Sequence, residues 1–154
     1  MSMSIETLVS SIAGLSITLT NSRSLKILTE DKIPETARGL GQVMFPNPDG
    51  FISDMSLEQM SMGTGGSQKQ NINYTMSWVF ISTPVGAGRS LGANYDVLLA
   101  DTMKIMNSFA TNDKLAGAID IQPSISDFGL ITDPVGNSFY GAIFNLRVLE
   151  FYEA

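Results

Sequence analysis

Residues 71–83 (NINYTMSWVFIST) alternate with a period of two. Ile72, Tyr74, Met76, Trp78 and Phe80 fall on one parity, and Asn71, Asn73, Thr75 and Ser77 on the other. That period places the first set on one face of a sheet and the second on the opposite face. The segment is rich in aromatic and β-branched residues, is free of proline until Pro84, and holds the only Trp of the chain. It predicts a long central strand whose apolar side must be covered by another layer. Residues 138–152 repeat the pattern, with Tyr140, Ala142, Phe144, Leu146 and Val148 set against Asn145 and Arg147. Gly141 within them marks a bulge or the close approach of a helix.

Two stretches carry helical periodicity. Ile5, Leu8, Val9, Ile12 and Ala13 recur at i, i+3, i+4, i+7 and i+8, with Ser4 placed to cap the start, Glu6 in the first turn and Gly14 at the stop. A second helix is expected over residues 95–110, capped by Asn94. Leu98, Ile105 and Phe109 line its inner side, joined by Leu99, Met103 and Met106, while Asp101 and Lys104 stay in water. Shorter elements fill the rest. Residues 17–19 and 25–28 read as short strands around an Asn21-Ser22 turn, and Pro34 opens a short helix over 34–40. Val43-Met44-Phe45 forms a strand running into the breaker cluster Pro46-Asn47-Pro48-Asp49-Gly50. Residues 51–62 show no single period. Residues 118–121 and 128–132 read as two strands, the first stopped before Pro123, and 133–137 (DPVGN) as a turn. Gly65-Gly66 signals a hairpin tip, so Met62–Gln70 and Pro84–Asn94 are expected to be exposed, mobile loops. These elements predict one α+β domain spanning 1–154. Its sheet is mixed and mainly antiparallel, with two main α-helices packed on one face and long β-hairpin loops.

Composition narrows the chemistry. Among 154 residues there is no Cys, hence no disulfide and no thiolate metal site, and no His, the commonest general base and transition-metal ligand. The formal charge of −6, from 9 Lys+Arg against 15 Asp+Glu, repels nucleic-acid phosphates and anionic membranes. Charged residues make up only 16%, against about 25% in an average soluble domain. A surface rich in Ser, Thr, Asn and Gln accounts for part of that. Coverage by neighbouring subunits accounts for it more directly, because interface cores are depleted in charge. The N-terminal stretch carries Glu6 and no basic region, so no secretory signal is expected, and no apolar run is long enough to span a bilayer.

No motif specifies catalysis. Gly86-Ala87-Gly88-Arg89-Ser90-Leu91-Gly92 sits between a strand and a helix, but GxGxxxG misplaces the third glycine of a dinucleotide fingerprint. Gly63-Thr64-Gly65-Gly66-Ser67-Gln68-Lys69 lacks the GxxxxGK[ST] of a phosphate cradle. Carboxylates such as Asp49, Asp101, Asp127 and Glu150 are scattered singly and read as solvated surface, with no spacing that marks a metal site or a hydrolytic pair. The expectation is no catalytic residue, no cofactor and no metal. The two glycine loops, through Gly63, Thr64, Gly65, Gly66, Lys69, Gly86, Gly88 and Arg89, are the candidate docking residues, and strand edges the candidate subunit contacts.

The order of elements resembles the tail-terminator (tail-completion, head–tail joining) proteins of long-tailed bacteriophages. An N-terminal helix precedes Asp31-Lys32-Ile33-Pro34-Glu35 and Val43-Met44-Phe45-Pro46, and a loop then leads into the aromatic strand with Trp78. A Pro-Gly-Arg loop (84–89), one long helix and Phe139-Tyr140-Gly141-Ala142-Ile143-Phe144 complete the series. The likeness covers most of the chain as an order of elements, and this family has no invariant motif. It implies a structural virion protein forming a homo-oligomeric ring, usually a hexamer, at the head-proximal end of the tail, assembled in the host cytoplasm. Such a ring binds the tail tube protein, stops its polymerisation and meets the head connector or neck protein, while DNA passes through the lumen without specific binding. Another neck or tail-tube component is the neighbouring alternative. A nucleotide-binding module or small enzyme using the loop from Gly86 to Gly92 is the alternative from a different class.

Overall fold

The computed structural model describes residues 5–20, 24–34, 36, 42–62, 68–84, 91–112, 120–132 and 135–153. The chain is α+β: the described residues form two α-helices and a six-stranded sheet, mostly antiparallel. Helix α1 (Ile5–Ala13) is followed by β1 (Lys26–Ile27), a 3-10 turn (Glu30–Lys32), β2 (Val43–Pro46), β3 (Ile52–Met62) and β4 (Gln68–Pro84). Helix α2 (Leu91–Thr111), β5 (Asp120–Thr132) and β6 (Ser138–Glu153) complete the order. The sheet runs β1-β2-β4-β6-β5, with β3 on the same side of β4 as β2. Among the described residues, β1 with β2 is the one pairing of neighbouring strands that is parallel.

Strand β4 is the axis. It pairs along almost its whole length with β6, from Lys69↔Glu153 to Pro84↔Phe139. On its other side the partner changes at Ser77. β2 pairs down to Pro46↔Trp78, and β3 takes over from Ile52↔Met76. Between them the Asn47 N–H donates to the Ser77 carbonyl (3.0 Å) and the Ser77 N–H donates to the Phe51 carbonyl (2.8 Å). β2 and β3 are thus two parts of one edge, interrupted by the predicted breaker cluster. The Asp49 N–H is held by the Asn47 side chain, and Gly50 takes φ +86 to reverse the chain. Phe51 then packs edge-on against Trp78, with centroids 6.1 Å apart.

The predicted parities hold. Ile72, Tyr74, Met76, Trp78 and Phe80 are buried with Ala142, Phe144, Leu146 and Val148, beneath Leu8, Val9 and Ile12 of α1 and Leu98, Ile105 and Phe109 of α2. Both helices cover this one face. The opposite face carries a smaller cluster of Val43, Phe45, Val79, Ile81 and Phe139, flanked by Leu28 and Ile33.

Several expectations need correction. Residues 52–62, which show no single period in the sequence, form a strand whose alternation is scrambled by irregularities between Ser53 and Ser56 and between Gln59 and Ser61. The two short strands expected over 118–121 and 128–132 belong, in their described residues, to one strand, β5. Pro123 is tolerated there because β5 is an edge, and a bulge lies between Ile125 and Asp127. In the 17–19 segment only Thr18 bridges, to Ser24, while the Asn21-Ser22 turn and Ser4 lie outside the described residues. Of the short helix expected over 34–40, Pro34 and Thr36 are not helical and the other residues lie outside the described ones; a 3-10 turn precedes Pro34. Helix α2 starts at Leu91, so Asn94 is a buried first-turn residue rather than its cap. Of the expected loops, Met62, Gln68 to Gln70 and Pro84 are strand, and Leu91 to Asn94 are helix. β4 and β5 run in the same direction with β6 between them, so α2 is a crossover between parallel strands and not part of a hairpin series.

Gly141 is required by a neighbouring strand, not by a helix. A Cβ there would collide with the Phe80 carbonyl oxygen and the Ile131 side chain, beside the register shift between Ile81 and Thr83. Gly141→Ala should therefore lower stability by about 3 kcal/mol in a urea titration, the scale of an overpacked core with no slack backbone. A second prediction concerns Tyr74, whose hydroxyl is pushed above its usual value near 10, first by burial and then by the charge of Glu150. The fold thus favours the neutral phenol, and this contribution is complete below about pH 10 and declines as pH rises beyond it. Unfolding midpoints should fall more steeply above pH 10 in the parent than in Tyr74→Phe, with the difference absent at pH 7.

Candidate subunit interface

Gly63, Thr64, Gly65, Gly66, Gly86, Gly88 and Arg89 lie outside the described residues. Lys69 is in β4, in register with Ser61 on one side and Glu153 on the other. The two glycine loops leave from opposite ends of a 17-residue strand, roughly 50 Å apart at the usual rise per residue.

Exposed apolar side chains are concentrated elsewhere. Among the described residues, the large hydrophobics that stand in water are Met55, Leu57, Leu99, Met103, Ile125, Phe128, Leu130 and Val135. Seven of these eight belong to three elements: Met55 and Leu57 on β3, Leu99 and Met103 on α2, and Ile125, Phe128 and Leu130 on β5. β5 is the last strand on one side of the sheet; on the other, β1 ends the sheet beyond β2, and β3 pairs with β4 and with no second strand among the described residues. Helix periodicity explains the α2 pair. Leu98, Ile105 and Phe109 define its inward direction, and Leu99 and Met103 lie on the flank shared with Tyr95. Tyr95 turns that flank toward β5, meeting Phe128 and Tyr140 edge-on at 5.8 Å. The expectation that Leu99 and Met103 join the core is corrected: Leu99 is 53% exposed and Met103 48%. The flank of α2 and the edge of β5 form one apolar border.

A trough of about 500 Å³ opens on the sheet face away from the helices. Phe45, Val79, Ile131 and Ile143 line it together with Asn47, Asp49, Asp127 and Leu130. Leu130 belongs both to this trough and to the border. Pro48 and Thr132 complete the trough's lining, and no group of three or more acids, histidines or cysteines able to hold a metal occurs among the described residues. Among the described residues, no helix is long and apolar enough to cross a membrane.

Asp101 reverses its expected place. It is fully buried in α2 and accepts from the Thr20 N–H (2.8 Å), the Thr20 hydroxyl and the Gln42 side-chain amide (2.9 Å). The carboxylate thereby ties the segment after α1 and the entry to β2 to the middle of α2. The signal was present in the spacing, since Leu98, Asp101, Thr102, Ile105 and Phe109 share one face at i, i+3, i+4, i+7 and i+11. Glu150 is likewise buried, on the covered face where β6 pairs with Ile72 of β4.

Asp101→Ala should cost about 3 kcal/mol, because it strands buried donors rather than one contact. Asp101→Asn should cost less, since a flip of Gln42 can present its oxygen to the new amide. Denaturant midpoints at unchanged m-value check both. Comparison of the chain with protein-family models and with curated proteins returns no match.

Proposed function

We propose that this chain is a structural assembly protein that works as a homo-oligomeric ring, in the manner of a phage tail terminator. It caps the tail tube, halts its polymerisation and joins it to the head connector. The observation that carries this reading is the collection of exposed apolar residues on the lateral borders of the sheet instead of in an enclosed pocket. Leu99, Met103, Ile125, Phe128 and Leu130 together leave on the order of 400 Å² of apolar surface in water, the size at which a patch on a monomer marks an interaction site. A standard interface buries about 800 Å² per partner, so this border supplies an apolar centre and leaves the rest to a polar rim. The low charge fraction fits the same use. The net charge of −6 would keep DNA from adhering to a lumen that it must slide through.

Size-exclusion chromatography with light scattering tests the reading. The parent chain should run as one closed oligomer, and electron microscopy should show it bound at the ends of cognate tail tubes. Leu99→Asp combined with Leu130→Asp should weaken self-association by on the order of 100-fold, equivalent to about 3 kcal/mol, with the unfolding midpoint of the monomer unchanged. A parent chain that stays monomeric at high concentration and ignores tail tubes removes the proposal.

A further inference from the structure

We propose that the border of β5 and α2 is covered by β3 of a second copy of this chain, in a head-to-tail contact with the neighbour displaced along the strand direction. This rests on the ring reading above and specifies which surfaces close the ring.

Strand direction is the first ground. β3 is antiparallel to β4, β4 to β6, and β6 to β5, so β5 and β3 run in opposite directions. A copy repeated beside β5 without being turned over therefore presents β3 as an antiparallel neighbour, the pairing this sheet uses nearly throughout.

Register is the second. Measured across the sheet, Leu57 lies level with Ile72 of β4, and Met55 falls in the irregularity just before Ser56, which is level with Asn73. On the far side, Ile125 is opposite Phe144 and so level with Trp78, while Phe128 is opposite Ala142 and level with Phe80. One displacement of about six residues, roughly 20 Å, brings Leu57 of the neighbour beside Ile125 and Met55 beside Phe128. The bulge between Ile125 and Asp127 makes both matches fall at the same displacement. The number is even, which keeps Leu57, Ile125 and Phe128 on the helix-covered side, beneath the flank of Leu99 and Met103. Two exposed apolar border patches thus meet as one.

Closure follows from the same displacement. A shift of about 20 Å over four strand spacings, about 19 Å, means that copies succeed one another at roughly 45° to the strands. Strands of closed barrels are inclined by similar angles. Because the two borders differ, the contact is heterologous and generates a ring when the rotation closes.

The absence of native cysteine makes thiol cross-linking a clean test. Leu57, Ile125, Met55 and Phe128 are all exposed. Leu57→Cys with Ile125→Cys in one chain should give, on oxidation or with a short bis-maleimide, a ladder ending at the closed oligomer. Met55→Cys with Phe128→Cys should do the same. Each single variant should give nothing alone, and a mixture of the two single variants should give dimers only. Ser53→Cys with Gln122→Cys, which lie level across the sheet without displacement, should not link. Dimers from Ile125→Cys alone would show a two-fold contact and overturn the proposal. So would linking of the level pair, or a full-size oligomer by light scattering in which neither displaced pair links. A monomer by light scattering would instead remove the ring reading itself.

Discussion

A 17-residue strand with one continuous apolar face sets the terms for every other element. Five large side chains of β4 on that face gain on the order of 10 kcal/mol from burial before the entropy of ordering the chain is charged against them. That gain is realised only if helices lie over the whole length, and two helices from opposite sides of β4 in the sequence supply the cover. A polar contact ties the segment after α1 and the residue entering β2 to the middle of α2. The Asp101 carboxylate serves there, collecting donors from Thr20 and Gln42 on the helix that covers the sheet.

The same constraint explains the change of partner at Ser77. β4 is longer than β2 and needs a second neighbour, and the loop from Asn47 to Phe51 lets one stretch of chain serve as both. Its cost is a local break in the ladder, met by the Asn47 and Ser77 backbone bonds and sealed by Phe51 against Trp78. The excursion also builds one wall of the trough on the other face.

What could be read from the sequence divides along the same line. β4 and β6 are central, buried and nearly unbroken, so their alternation survives intact. β3 and β5 are outermost and bulged, and each bulge flips the parity of the residues beyond it. The alternation therefore dissolves into noise in 51–62 and splits in two around Pro123. In α2, charge predicts exposure and apolarity predicts burial. Asp101 and Leu99 reverse both, because a helix crossed by other chain segments buries a polar staple and leaves one flank bare. The docking loops chosen from glycine content fall at opposite ends of β4. The border that does gather exposed apolar residues is built from elements distant in sequence, and no local pattern records such proximity. Only the general expectation that subunit contacts would use strand edges points to it.

Edge strands that carry apolar residues invite unlimited addition, and both edges here carry features that restrain it. Pro123 removes a donor from β5, its bulge lies a few residues further on, and β3 is interrupted twice, with Asp54 at φ +52 in the first irregularity. A backbone ladder could extend over only short stretches before meeting one of these breaks. Association must then depend on which side chains meet, and side-chain fit tolerates one displacement where a plain ladder tolerates many. An assembly protein that stops at a fixed number of copies, as proposed for this chain, needs that distinction. With long, regular and equally apolar edges, the same sheet would grow without end.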